Sequence, residues 1–186
     1  ADVFDATPAA MAVHTQNRGN GTGIVDQYFD DRGKTGLVVL MGGGRKWFLP
    51  NPTTCPNSDC GTAAGFNGSA RGNSTDYVLP ADIIAGWGSA PGALDPGRDL
   101  IDDFRNAGWT YAYDAASMDA AHSNKPLLGL FSLSNMNIAL DKIGKRRGTS
   151  TVVDDYGFPD QPLLEEMTAK ALEVLDAKSP KGFVLM

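Results

Sequence analysis

The 186-residue chain carries 22 acidic against 16 basic side chains, a formal net charge of -6, with 42% hydrophobic and 20% charged residues. This is a globular composition rather than a disordered one, and its acidity removes the electrostatic drive for nonspecific nucleic-acid binding, so no nucleic-acid partner is expected. No apolar run approaches the ~20 residues that cross a bilayer, and no basic start followed by an apolar core marks a signal peptide. No membrane span is expected, and any export signal has been removed or lies outside this chain.

Thr7-Pro8 opens the first predicted helix, with Thr7 as N-cap and Pro8 at the first helical position, where its missing N–H is tolerated. The helix runs through AAMAVHTQN and stops near Arg18-Gly19. LVVLM at 37–41 reads as a buried strand, cut off by the tight exit loop Gly42-Gly43-Gly44. From 50 to 97 Gly, Pro, Asn, Ser and Thr dominate and no periodicity persists, which predicts a long irregular surface insertion. Its CPNSDC stretch holds both cysteines. A local Cys55–Cys60 disulfide is favoured there, implying an oxidising compartment, and a pair of free thiols is the alternative. A zinc site is disfavoured, because His14 and His122 are distant and show no paired ligand spacing.

Regular signals return with a helix at 98–107, a strand at 109–113, a helical turn after Asp114 and a strand at 127–131. A second irregular stretch covers about 132–160. Pro162 then starts the clearest helix, in which Leu163, Leu164, Met167, Ala171, Leu172 and Leu175 form an apolar stripe opposite Glu165, Glu166, Lys170, Glu173 and Lys178. Ser179-Pro180 ends it, and GFVLM at 182–186 reads as another buried strand. Helices alternating with short apolar strands predict an α/β fold with a mostly parallel sheet flanked by helices. With a helix cap near its start and a strand at its finish, the chain reads as a single incomplete domain over 1–186, cut at both ends.

Several catalytic patterns are excluded. Gly42-Gly43-Gly44-Arg45-Lys46-Trp47 follows a strand, but Trp47 stands where a dinucleotide fingerprint needs its third glycine, and the Gly-Lys-Ser/Thr ending of a P-loop is missing. No Gly-x-Ser-x-Gly elbow supplies a hydrolase serine. Asp5, Thr7 and Arg18 bracket the first helix with a carboxylate, a hydroxyl and a guanidinium: hard oxygens suit Mg²⁺, and an arginine fork suits phosphate. Eleven residues make about three turns, so a continuous helix would set Thr7 and Arg18 on one face, about 16 Å apart along its axis. Spacing alone explains the same residues as helix caps and a C-terminal charge.

The segment DATPAA from Asp5, followed by His14 and Arg18, resembles a segment of the alkaline phosphatases. VVLMGGGRKWF at 38–48 is similar to that family's strand and glycine turn, and KPLLGLFSLSNM at 125–136 to its PLLGLF segment. PLLEEMTAKALEVLDAKSPKGFVLM at 162–186 resembles the helix and strand that lead to the family's Val-Glu-Gly metal-binding turn. The stretches 50–97 and 132–160 match poorly.

The resemblance implies an alkaline-phosphatase-like three-layer sandwich, present in part, and a hydrolase of phosphate monoesters with two Zn²⁺ and one Mg²⁺. It implies a periplasmic or secreted homodimer working through a phosphoseryl intermediate. By position, Arg18 matches the arginine that grips the phosphate oxygens, Thr7 a direct Mg²⁺ ligand, and Asp5 a residue holding a Mg²⁺-bound water. The family's nucleophilic serine block and its direct zinc ligands have no counterpart in these residues, so this polypeptide alone is expected to be inactive. A non-catalytic α/β binding or structural module that keeps the phosphatase scaffold is the alternative.

Overall fold

The computed structural model describes residues 2–5, 9–15, 21–51, 69–71, 81, 85–86, 95–143 and 160–186. Its core is three short strands, β1 (Val39–Gly42), β2 (Thr110–Ala112) and β3 (Leu127–Leu130), in the order β1-β3-β2 and parallel throughout. Val39 and Thr110 both sit beside Leu127, so the three strands begin in register, and β2 ends one residue before the other two. Successive side chains of a strand point to opposite faces. Leu128 and Leu130 pack with Ile24, Val25, Phe48 and Phe104, whereas Leu127 and Phe131 pack with Met118, Met136 and Val174. Burial on both faces explains why β3 reads as an uninterrupted apolar run.

The first apolar layer is supplied by α1 (Gly21–Asp30) and α3 (Leu100–Asn106), the second by α4 (Ala115–Asp119) and α6 (Leu164–Lys178). The short helices α2 (Arg32–Thr35) and α5 (Ala139–Ile143) complete the described elements. Local chemistry sets the helix starts. Asp99 accepts from the Asp102 N–H at 3.0 Å to begin α3, and Asp114 and Ser117 exchange reciprocal side-chain-to-backbone bonds at the head of α4. The expected α/β class, parallel sheet and flanking helices are all observed. No described helix is long and apolar enough to cross a membrane.

Five expectations need correction. The first helix does not run on to Asn17: Ala9 and Ala10 are helical, but Met11 and Ala12 form a turn and Val13–Thr15 belong to no helix. Here the His14 N–H donates to Gln27 Oε1 at 2.8 Å and its carbonyl accepts from Gln27 Nε2 at 2.6 Å, so the backbone groups a helix would use are bound by α1 instead. The predicted helix is therefore interrupted at Val13–Thr15, while Thr7 and Arg18 themselves lie outside the described residues. The 50–97 insertion is not wholly superficial, because Ser69 and Arg71 are buried. The second irregular stretch contains α5. In α6, Leu164 and Leu172 face solvent, while Val174 is buried and so is Lys170, whose ammonium donates to the carbonyls of Asp119 and Ala121. Finally, 182–186 is not a strand: no described strand pairs with it, and its apolar side chains are exposed beside a groove of about 820 Å³ shared with β1 and α6. Without a ladder partner, an apolar run gains no strand hydrogen bonds.

Candidate functional site

In open parallel sheets, ligands meet the protein beyond the carboxyl ends of the strands. At that end of β1 the chain turns through three glycines, and the segment containing Asp5 is laid against the turn. Asp2 pairs with Gly43 as a parallel bridge, and the Val3 N–H donates to the Gly43 carbonyl at 3.1 Å. Asp5 follows through its own N–H, which donates to the Asp2 carbonyl at 3.1 Å, and its carbonyl accepts the Ala9 N–H. Tyr28 Oη donates to the Val3 carbonyl at 2.8 Å, and Phe4 meets Trp47 edge to face with ring centroids 4.9 Å apart. The segment is thus fixed by α1 and by the turn after β1 together.

The glycines are needed for reach as well as for turning. Gly44 has φ 96°, and a Cβ there would stand 1.8 Å from Asp2 Oδ1. Only glycine lets the carboxylate lie so close. The Gly44 N–H is shared between the Ser132 and Ser134 carbonyls, and the Arg45 N–H donates to Ser132. These bonds fasten the turn after β1 to the one after β3. Arg45 points inward and is fully buried, its guanidinium donating to the strand-end carbonyls of Leu130 and Tyr113. Lys46 is half-buried, and its Nζ donates to Ser134 Oγ at 3.1 Å.

Asp2 is 2% exposed, and its Oδ2 has no hydrogen-bond partner. Burial pushes its carboxyl up to about 6, against the pull of the Phe4 N–H and the positive charge of Lys46. The folded state therefore keeps a proton that the unfolded chain releases between pH 3.8 and about 6. Stability is fully present below this window and falls as the pH rises through it, by about 3 kcal/mol from this residue. Asp2→Asn should remove that slope, leaving the variant about 3 kcal/mol more stable than the parent at pH 7 and indistinguishable from it below the window. Urea unfolding between pH 4 and 7 checks this. A parent curve as flat as the variant's would contradict it.

Of the residues singled out from sequence, Asp5 stands at the strand ends and is half-buried. Thr7, Arg18, Cys55 and Cys60 lie outside the described residues. Asp2, Gly44 and Lys46 were not singled out, and nothing in their spacing brings residues 2 and 44 together. Among the described residues, no three His, Cys, Asp or Glu side chains gather in a way that could hold a metal ion. The acids at the turn, including the unpartnered oxygen of Asp2, are hard donors of the kind Mg²⁺ prefers. A zinc cage of His and Cys finds no match among them.

A family model described as alkaline phosphatase matches residues 1–186. Over 206 residues the chain is 29% identical to the alkaline phosphatase of Escherichia coli, covering all of this chain and 36% of that protein. Over 197 residues it is 27% identical to the repressible alkaline phosphatase of Saccharomyces cerevisiae, covering 99% and 27%. The crystal structure of Thermus thermophilus alkaline phosphatase superposes with a TM-score of 0.57 at 21% identity, over 96% of this chain and 25% of that one, a likeness of fold. The chain spans about a third or less of the length of these relatives.

Proposed function

Because the chain belongs to the alkaline phosphatase family, we propose that it is a section of a metal-dependent phosphatase that hydrolyses phosphate monoesters through a phosphoseryl intermediate in the complete enzyme. The observation that carries this reading is the bridge between Asp2 and Gly43, which sets Asp5 beyond the carboxyl end of β1, where an α/β enzyme keeps its reacting groups. In this reading Thr7 would hold Mg²⁺ directly, and Asp5 would hold one of its water ligands. Bound Mg²⁺ would supply positive charge and fix the orientation of coordinated water. Arg18 grips the phosphoryl oxygens through its two-pronged guanidinium and orients the ester. The two Zn²⁺ of the family find no donor set among the described residues, so no step of the reaction is assigned to zinc here. The same reading makes the protein periplasmic or secreted and, when complete, a homodimer.

The full reading frame that carries this sequence should hydrolyse p-nitrophenyl phosphate in buffer containing Zn²⁺ and Mg²⁺. Arg18→Ala should lower kcat/KM about 100-fold, the usual cost of one charge-stabilising donor. The 186-residue polypeptide by itself should show only background turnover. A folded but inactive product of the full frame would overturn the phosphatase reading in favour of a non-catalytic module on the same scaffold.

A further inference from the structure

Lys46 stands at the same strand ends, and its position is set from three sides. Its N–H donates to the Leu133 carbonyl at 3.2 Å, and its own carbonyl accepts the Ala70 N–H at 2.8 Å. The ammonium donates to Ser134 Oγ and lies 5.3 Å from the centre of the Trp47 ring. Among the described residues, no carboxylate comes within ion-pair distance of it, although other cations at this end of the fold are tied up. Arg45 is spent on strand-end carbonyls, Arg71 on Asp26 and Asp95, and Arg98 on Asp30 and Asp103. An ammonium has three donors, and Ser134 takes one. A half-buried lysine held so firmly, with no described carboxylate in direct contact with its ammonium, is suited to an anion that arrives from solution. The same turn carries the Asp5 segment, through the bridge between Asp2 and Gly43 and the bond from the Asp5 N–H to the Asp2 carbonyl.

We infer that Lys46 is an oxyanion-binding residue of the proposed phosphatase site, offering the donors that Ser134 leaves unused to a phosphoryl oxygen of the monoester. This rests on the phosphatase reading for the identity of the anion. The Ser69–Arg71 strap, which binds the Lys46 carbonyl through Ala70, is then what holds the cation in place.

Inorganic phosphate is the probe, titrated calorimetrically at constant ionic strength into the product of the full reading frame and its variants. Lys46→Met keeps the length of the stem and removes the charge, so it should weaken phosphate binding about 10-fold with the urea midpoint unchanged. Lys46→Arg should restore affinity to within about 3-fold. Ser134→Ala, which removes the strut and leaves the ammonium, should also stay within 3-fold of the parent. If Lys46→Met binds phosphate as the parent does, or if Ser134→Ala weakens binding as much as Lys46→Met, Lys46 is a structural strut and the inference falls. Arg18→Ala separates the two readings. Loss of binding in Arg18→Ala with none in Lys46→Met overturns the Lys46 role alone, and the reverse pattern overturns the Arg18 grip alone. A parent protein that binds no phosphate overturns both.

Discussion

Arg71→Ala is expected to lower the stability of the fold by about 3–5 kcal/mol, the cost of leaving one member of a buried ion pair without its partner. Arg71 and Asp26 are each 1% exposed, and the guanidinium meets the carboxylate through two bonds of 2.8 and 3.0 Å. A third bond goes to Asp95 Oδ1 at 2.7 Å, and others to the carbonyls of Trp47 and Asp95. Arg71 thereby ties α1, the turn after β1 and the approach to α3 to one side chain. Burial pushes the Asp26 carboxyl up to about 7, against the pull of Arg71. Once the guanidinium is gone, that pull is gone too, and Asp26 remains buried with less to hold its charge. Arg71→Lys should recover only part of the loss, because an ammonium does not make the two-pronged contact. Urea unfolding at pH 7 measures both. A change below 1 kcal/mol for Arg71→Ala would mean that the pair is reached by water and contributes as a surface bridge does.

Gly44→Ala is expected to cost about 2–6 kcal/mol, from two separable causes. An L side chain at φ 96° is strained by about 1–3 kcal/mol. The added methyl must also displace Asp2 Oδ1, which lies 1.8 Å from where it would stand, an overpacking cost of about 1–3 kcal/mol. The double variant Gly44→Ala with Asp2→Gly should recover the second part and keep the first, a coupling read from the four unfolding free energies. Additive effects would show that Asp2 and Gly44 do not press on each other. Because Asp5 hangs from Asp2 by a backbone bond, the single variant should also weaken whatever Asp5 binds.

Much of the fold was legible because it rests on local rules. The strands at 109–113 and 127–131 match β2 and β3 within a residue or two, and the helical turn predicted after Asp114 is α4. The strand at 37–41 was legible from its apolar run and the glycines that stop it. No helix is predicted between Gly19 and Leu37, yet α1 forms there despite Gly21 and Gly23, with Ile24, Val25 and Tyr28 all buried. Their packing against Phe48 and Phe104 outweighs a propensity cost of about 1 kcal/mol per glycine. In α6 periodicity found the helix and part of its buried face, Ala171 and Leu175, but not Val174 or Lys170. Lys170 goes inward because the carbonyls of Asp119 and Ala121 receive its ammonium, a contact no hydropathy pattern reports.

The candidate site divides in the same way. Asp5, Thr7 and Arg18 are singled out from sequence because one short segment carries their chemistry, and of the three only Asp5 is among the described residues. Asp2, Gly44 and Lys46 were not, because what marks them is a meeting of distant residues. By itself the sequence determined an acidic α/β protein with parallel strands, glycine turns at the strand ends and the residue blocks of a phosphatase family, since these follow from composition, period and local order. Only the tertiary structure decided that the first helix yields to Gln27, that Arg71 anchors part of the insertion, and that Asp2 fits beneath Gly44. Each of these depends on which buried polar group finds a partner across the fold, and that partner is chosen by packing rather than by neighbours in the chain.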